Sequence, residues 1–296
     1  MLLAALAAAP GGAQPPTYPR YGLFNTEIRF LHSEHVGRLF KVFVNLPRQY
    51  QQEPERRYPA LYVLDPAAHF GMFTDIQRLL EDGRRLEPVL TVGIGYESIV
   101  LDTLSRYRTI DMLPTPNPNG LGGGAPLFLR FVEEELIPYI QSQYRVDPAR
   151  RALWGGSYGG LFGAYVLLER PELFTGYMLN SPVLAHDNGL LFRYEEELAT
   201  ARRDLPARVY MAAGGLEPAE WMLEPLREME RRLRSRRYPG LELQVDVVEG
   251  EDHFTVAPTG ITRGLGGDQR RPPAGRCIAR WAGSTRDPMH LFGRQE

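Results

Sequence analysis

The feature that most constrains this chain is a tight turn around Ser157. An apolar, strand-like run at 152–154 leads into the pattern Gly155-x-Ser157-x-Gly159, and small and apolar residues at helical spacing follow at 160–168. A very sharp strand-to-helix turn needs small residues two before and two after the serine, because larger side chains would collide with the strand and the helix. The pattern therefore predicts a serine in a strained backbone conformation at the end of a buried strand. The alternative is a structural turn whose serine only caps the helix.

The rest of the chain alternates strand-like and helix-like segments. Runs rich in β-branched and aromatic residues predict eight strands, at 28–31, 39–46, 60–64, 89–94, 152–154, 176–180, 208–212 and 241–248. Apolar residues at helical spacing predict five helices, at 70–80, 127–143, 160–168, 190–200 and 219–236. Two N-terminal strands that can pair as a hairpin, followed by β-α alternation, predict an α/β fold with a mostly parallel sheet covered by helices on both faces.

Composition divides the chain into three parts. Residues 1–20 begin with an apolar run that is too short to span a bilayer, which is typical of the hydrophobic part of an export signal. A disordered extension is the alternative. Residues 21–265 form the predicted α/β domain, and residues 266–296, rich in Gly, Arg and Pro, predict a loosely ordered basic tail. An export signal implies a periplasmic or secreted protein, whereas its absence implies a cytoplasmic one.

Charge and cysteine content exclude several classes of function. The 34 basic and 36 acidic residues give a net charge of -2, which argues against a protein that coats nucleic acid. The single cysteine, Cys277, excludes a disulfide within the chain and any cysteine-rich metal site. No segment approaches the length of a membrane span. We therefore expect a protein that acts on a small molecule, without a nucleic acid partner and without stable membrane insertion.

A serine nucleophile needs a base, and His253 is the histidine best placed to supply it. In folds with this kind of turn the chain order is serine, acid, histidine, which disfavours the three histidines that precede Ser157. Of the others, His186 follows the serine too closely and His290 lies in the irregular tail. His253 directly follows the last predicted strand, so a loop there can reach the serine.

The acid that orients the histidine should follow the preceding strand. Glu217 lies at the turn after the strand at 208–212 and is the predicted acid, with Glu220 one helical turn later as the alternative. Asp252 abuts His253 but is poorly placed to turn back onto its ring.

Acyl transfer also needs N–H donors for a developing oxyanion. The backbone N–H of Tyr158, directly after the serine, is one predicted donor. The second should come from the loop after the third strand, where Pro66 has no N–H and Ala67 is therefore the predicted donor.

Arg106 and Arg108 lie on the long segment between two predicted strands, where a pocket wall would form. Arginines there could bind an anionic acyl group such as a carboxylate or a catecholate. The alternative is that they are solvated or pair with nearby acids.

Taken together, these motifs resemble the putative-esterase branch of the α/β-hydrolase superfamily, which includes siderophore trilactone esterases, feruloyl esterases and esterase D. The resemblance is carried by Tyr62-Val63-Leu64-Asp65, Val92-Gly93-Ile94-Gly95-Tyr96, the run from Trp154 to Phe162, Ser181-Pro182 and Asp252-His253-Phe254. It implies the α/β-hydrolase fold with about eight strands and a second oxyanion donor from the Asp65 loop. Members of this branch sometimes work with a Ser–His pair and no well-placed acid, which leaves the role of Glu217 open.

Two departures from this family stand out. Pro66 occupies a position where the family usually has a residue with an N–H, which puts the oxyanion geometry in doubt. The family also closes with an apolar helix after the His253 loop, whereas this chain begins such a helix and then turns Gly-, Arg- and Pro-rich after Leu265. A diverged tail, for instance through a change of reading frame, would account for this, and loss of the helix would uncover one face of the sheet.

The resulting expectation is a serine hydrolase that cleaves carboxylic esters through an acyl-enzyme and needs neither a metal nor an organic cofactor. Siderophore-type or aromatic-acid esters are the expected substrates. An acyltransferase of the same fold, in which an alcohol replaces water, and a catalytically impaired binding protein are the alternatives.

Overall fold

The computed structural model of the protein describes residues 22–98 and 100–266. The predicted export segment (1–20) and nearly all of the predicted tail, including Cys277 and His290, lie outside the described residues. Within the described residues, no helix is both long enough and apolar enough to cross a bilayer.

All eight predicted strands are present and join in one sheet, in the order β1-β2-β4-β3-β5-β6-β7-β8. The first two pair antiparallel, β2 pairs antiparallel with β4, and the remaining neighbours are parallel. The mostly parallel sheet is therefore confirmed. The strands are β1 (Thr26–Ser33), β2 (Arg38–Asn45), β3 (Tyr58–Leu64), β4 (Leu90–Tyr96), β5 (Val146–Gly156), β6 (Gly176–Asn180), β7 (Arg208–Gly214) and β8 (Glu242–Val248).

The helices follow the predicted alternation, with one additional helix after β4 and with π-helical turns in two of the predicted helices. A helix that was not predicted, α2, fills the segment after β4, and the long helix predicted over 127–143 is divided by a π-helical turn at Phe131–Leu136. A second π-helical turn, Ala219–Leu223, precedes α7. The helices are α1 (Pro66–Asp82), α2 (Leu101–Met112), α3 (Ala125–Arg130), α4 (Ile137–Gln143), α5 (Tyr158–Glu169), α6 (His186–Ala201), α7 (Glu224–Arg236) and α8 (Val256–Gly266).

Alternate residues of the central strands point to opposite faces of the sheet, and both faces are covered. On one face Leu61, Val63 and Trp154 pack with side chains of α1 and α8. On the other face Tyr62 and Leu64 belong to a larger apolar core with side chains of α3 to α7. A strand that is buried on both sides explains why the central runs are continuously apolar rather than alternating.

Helix α8 is the closing helix whose continuation the sequence left in doubt. It runs from Val256 to Gly266, and Ile261 and Leu265 on it are fully buried. They pack in the same cluster as Met178 and Tyr210 of the sheet. The face that loss of this helix would have uncovered is therefore covered.

The topology places one edge of the sheet as the natural site for a ligand. From β3 the chain passes to β4 on one side and then returns to β5 on the other side, which creates a crevice at the carboxyl ends of β3 and β5. Asp65 directly follows β3 and Ser157 directly follows β5. The predicted nucleophile thus lies at the point where parallel α/β sheets usually bind their ligands.

Candidate active site

Ser157 forms the strained turn that the sequence predicts. It joins β5 to α5 with φ 59° and ψ -117°, a conformation that a residue with a side chain rarely adopts. The turn is held from the neighbouring strand, because the Ser157 N–H donates to the carbonyl of Asn180 at 2.9 Å. Such strain persists only where the surroundings over-determine the backbone, and it is concentrated at functional sites.

His253 and Glu217 are brought together by the two loops that follow β8 and β7. His253 Nδ1 lies 2.8 Å from Glu217 Oε2. The loops are tied to each other by a backbone hydrogen bond from the N–H of Leu216 to the carbonyl of Glu251 at 3.0 Å. About a third of the His253 side chain is exposed, whereas that of Glu217 is almost fully buried. The carboxylate is therefore fixed inside the protein and the ring stands at the surface of the crevice.

Glu217 is ionised by its hydrogen bonds in spite of its burial. Burial alone raises the pKa of this carboxyl, but hydrogen bonds from His253, from the Ser181 hydroxyl and from the Gly214 N–H outweigh it and hold the pKa below its usual value. Both of the last two donors bind Oε1, the hydroxyl at 2.5 Å and the N–H at 2.7 Å. An ionised carboxylate can only accept, so the proton between the two groups is on Nδ1, and in the neutral ring Nε2 is then the nitrogen with a free lone pair.

The two other acids considered for this role point elsewhere. Glu220 is exposed in the π-helical turn that precedes α7. Asp252 accepts hydrogen bonds from the backbone N–H groups of Phe254 and Thr255, at 2.8 and 2.9 Å. It therefore caps the start of the segment that leads into α8.

Ser157 and His253 are not joined by a hydrogen bond in the part of the chain that the structure describes. Contacts between a nucleophile and its base are often long in the unliganded state and tighten when substrate binds. The structure thus places the contact between His253 and Glu217 and the predicted nucleophile, Ser157, on the same edge of the sheet.

The Asp65 loop, from which the second oxyanion donor is predicted, packs against the strand-to-helix turn around Ser157, here called the elbow. Asp65 has left-handed backbone angles (φ 53°, ψ 47°), and Pro66 begins α1 directly after it. A Cβ built on Gly159 would lie 3.4 Å from Asp65 Oδ2, so the loop and the first turn of α5 are in contact. The N–H of Ala67 belongs to the first turn of α1 and has no acceptor within that helix. Proline at the first helical position therefore leaves the predicted donor, Ala67, in place.

Arg108 lies beside the elbow and is paired with an acid, which is the alternative that the sequence left open. Its Nε lies 2.8 and 2.9 Å from the two carboxylate oxygens of Asp65, and its Nη2 donates to the carbonyl of Gly156 at 2.8 Å. The guanidinium also stands 5.3 Å from the ring centroid of Tyr158. Arg106, two residues earlier, is exposed. The two arginines predicted together therefore lie in different surroundings.

Helix α2, which carries Arg108, is anchored to the sheet by a buried ion pair. Asp111 is 1% exposed, and its Oδ2 accepts from Arg38 Nη1 of β2 at 3.0 Å. Burial raises the pKa of Asp111 to about 6, against the opposing effect of the Arg38 charge. Arg38 also stacks over Tyr107 of α2 at 4.5 Å. These contacts set where α2 lies and hence where its arginine reaches.

The other histidines of the described region serve local contacts. His35 pairs with Glu134, at 2.7 Å, and His186 contacts Thr115. His69 of α1 packs edge-on against the Trp154 ring, and burial lowers its pKa. Among the described residues, no group of three or more histidine, cysteine, aspartate or glutamate side chains could hold a metal ion.

Two contacts of the site were missed by reasoning from sequence. One is the bond from Ser181 to Glu217, and the other is the pairing of Asp65 with Arg108. Both Ser181 and Asp65 follow directly on parallel strands, so the signal available was a polar residue at a strand end on the same edge as Ser157. That signal locates a residue at the site but does not identify its partner.

Comparison with known proteins places this arrangement among esterases. The family model described as putative esterase matches residues 33–252. The chain is 32% identical to the ferri-bacillibactin esterase BesA of Bacillus subtilis over 259 residues, which cover 81% of this chain and 88% of that protein. It is 28% identical to the siderophore triacetylfusarinine C esterase of Aspergillus fumigatus, over 86% of this chain and 95% of that protein. The crystal structure of the BES protein from Bacillus cereus matches with a TM-score of 0.75 at 26% identity, over 84% of this chain and 98% of that one.

Proposed function

The chain belongs to the putative esterase family and is an ester hydrolase, and from that premise we propose that it cleaves carboxylic esters through an acyl-enzyme formed on Ser157. The observation that carries this proposal is the 2.8 Å contact between His253 Nδ1 and Glu217 Oε2, on the same edge of the sheet as the strained Ser157 turn. A serine, an imidazole and an ionised acid in this chain order are the components of nucleophilic acyl transfer.

In the proposed reaction Ser157 Oγ attacks the ester carbonyl while His253 Nε2 takes the hydroxyl proton. Glu217 holds the Nδ1–H tautomer and stabilises the imidazolium that forms. The tetrahedral intermediate then expels the alcohol, which receives the proton from His253. Water attacks the acyl-enzyme by the same route, releases the acid and restores the serine hydroxyl.

The oxyanion of the tetrahedral intermediate would be held by the backbone N–H groups of Tyr158 and Ala67. Each belongs to the first turn of a helix, where N–H groups lack helical acceptors and the helix dipole favours negative charge. The guanidinium of Arg108 bonds to both the Asp65 carboxylate and the Gly156 carbonyl, and so ties the loop before Ala67 to the turn before Tyr158. Donors held at a fixed separation are preorganised for a developing oxyanion, which stabilises the transition state more than the ground state.

Replacing Arg108 by lysine is expected to lower kcat by about 10- to 100-fold with little change in KM. Lysine keeps the charge but cannot contact both Asp65 and the Gly156 carbonyl with one planar group. The matched control is Arg106→Lys, which changes an exposed arginine two residues away on the same helix and should leave kcat unchanged. Steady-state rates on a p-nitrophenyl ester measure both, and equal kcat values for the two variants would refute a role for Arg108.

The proposed substrates are siderophore-type or aromatic-acid esters. Two of the relatives in the comparison are named as siderophore esterases. In addition, large apolar side chains are exposed on the loops that carry Glu217 and His253 and on the π-helical turn after Glu217, with Leu216, Phe254 and Trp221 being 69%, 85% and 62% exposed. Apolar surface beside the base suits an ester with a large apolar or aromatic part.

The acyl-enzyme is tested by covalent trapping. A fluorophosphonate should inactivate the protein in proportion to labelling at one site per chain, and peptide mass analysis should place that label on Ser157. Heat-unfolded protein is the control and should not react. Stoichiometric labelling of another residue, or full ester hydrolysis by protein whose Ser157 is labelled, would overturn the proposed mechanism.

A further inference from the structure

We propose that the hydroxyl of Ser181 is a positioning group for the acid of this site, holding one carboxylate oxygen of Glu217 so that the other faces His253. This inference rests on the proposed function and adds to it a residue that belongs neither to the Ser157 turn nor to the loops that carry the acid and the base. Ser181 follows directly on β6, the strand between the one that ends at the nucleophile and the one that leads to the acid.

The two carboxylate oxygens of Glu217 have different partners. Oε1 accepts from the Ser181 hydroxyl at 2.5 Å and from the Gly214 N–H at 2.7 Å, whereas Oε2 faces His253 Nδ1 at 2.8 Å. If the Gly214 N–H were the only donor to Oε1, the carboxylate could still rotate about that hydrogen bond. A second donor from a different strand removes that freedom, so Oε2 stays in line with the imidazole.

Burial makes the hydroxyl hard to replace. Ser181 is 2% exposed and Glu217 is 5% exposed, so bulk water does not reach the carboxylate oxygen that the hydroxyl binds. A hydrogen bond to a charged group is worth more than one between neutral groups, and a buried acceptor left short of a donor carries a desolvation cost. Loss of the hydroxyl should therefore change the orientation of Glu217 instead of being compensated by solvent.

The backbone conformation at Ser181 favours glycine, so the presence of a serine there points to a role for its side chain. Its φ is 43°, in the left-handed region that favours glycine, and its N–H donates to the carbonyl of Ala212 on β7 at 2.6 Å. A glycine would adopt this conformation without strain. A serine at this position has a higher conformational free energy than a glycine would have. Its hydroxyl provides the hydrogen bond to Glu217, which a glycine cannot make.

Two substitutions separate the effect of losing the hydroxyl from the effect of relieving the backbone strain. Ser181→Ala removes the hydroxyl and keeps the strained conformation, while Ser181→Gly removes the hydroxyl and relaxes it. We expect both variants to lose about 10- to 100-fold in kcat on a p-nitrophenyl ester with KM nearly unchanged. We also expect Ser181→Gly to melt no lower than Ser181→Ala. Wild-type kcat in the glycine variant would show that the hydroxyl is dispensable and would overturn the proposal.

A double-mutant cycle tests whether the hydroxyl acts through the acid. In a Glu217→Ala background the carboxylate is absent, so adding Ser181→Ala should change kcat by less than about 2-fold. A purely structural role would produce the same loss in both backgrounds, and that result would also overturn the proposal. Thermal melting of all four proteins, monitored by circular dichroism, identifies any variant that fails to fold. If a Ser181→Ala protein does not fold, Ser181→Gly replaces it in the cycle.

Ser157→Ala, assayed in the same series, keeps this inference apart from the function on which it rests. Hydrolysis that persists in Ser157→Ala would refute the proposed acyl-enzyme. Hydrolysis that depends on Ser157 but is unaffected by both Ser181 variants would leave the proposed function standing and refute only the role of Ser181.

Discussion

Ser157→Ala is expected to lower kcat for p-nitrophenyl acetate by about 10⁴- to 10⁶-fold. The variant retains both predicted oxyanion donors and the His253–Glu217 pair, but it has no atom that can form the acyl-enzyme. Alanine tolerates the backbone of the turn about as well as serine, because both carry a Cβ, so the melting temperature should change little.

The matched control for this variant is Ser142→Ala. Ser142 is an exposed residue of α4 whose hydroxyl donates to the carbonyl of Tyr139 and accepts from Gln143 Nε2, both on the same helix, and its removal should leave kcat unchanged. A Ser157→Ala protein that is folded and retains more than about a tenth of the wild-type kcat would exclude Ser157 as the nucleophile. That result would favour direct attack of water on the ester, or a different nucleophilic residue at the same edge of the sheet.

Gly155→Ala is expected to destabilise the protein by about 3 kcal/mol or more and to abolish most activity. A Cβ built on Gly155 would lie 2.1 Å from the carbonyl oxygen of Gly159, which belongs to the backbone of the first turn of α5. The backbone can relieve this overlap only by moving α5 away from β5, and that movement displaces Ser157. Chemical denaturation and ester hydrolysis measure the two effects separately.

The neighbouring glycine provides the comparison for this prediction. A Cβ built on Gly156 would meet the edge of the Trp154 ring at 3.1 Å, a side-chain contact much longer than the backbone overlap of 2.1 Å at Gly155. Gly156→Ala should therefore cost less than about 1 kcal/mol. Similar losses of stability in the two variants would show that the turn is not limited by the approach of Gly155 to α5.

The regular elements could be predicted because their causes are local. The central strands are apolar on both sides, and the helices on the larger face carry apolar residues at helical spacing, so each pattern is legible in a short window of sequence. Helix α2 was missed for the corresponding reason. Its buried residues are Asp111 and Met112. Asp111 is buried because it pairs with Arg38, whereas from the sequence alone an aspartate is expected to be exposed to solvent.

Helix α8 shows how a tertiary contact can reverse a local signal. The glycines of its sequence weaken the prediction of a helix, because glycine is a poor helix former. In the structure a Cβ built on Gly260 would lie 2.0 Å from Asn180 Nδ2, so the helix packs onto the sheet only because that position has no side chain. Glycine at position 260 is therefore unfavourable for an isolated helix but necessary for this helix to pack on the sheet.

The sequence by itself determined the turn at Ser157 and the order in which serine, acid and histidine follow the strands, since both depend on neighbours along the chain and on strand topology. Only the tertiary structure decided which polar groups meet. Arg108 lies 43 residues from Asp65, and Ser181 lies 36 residues from Glu217. No pattern in a short window records such a pairing, because its stability depends on burial and on competing donors that exist only after the strands have assembled.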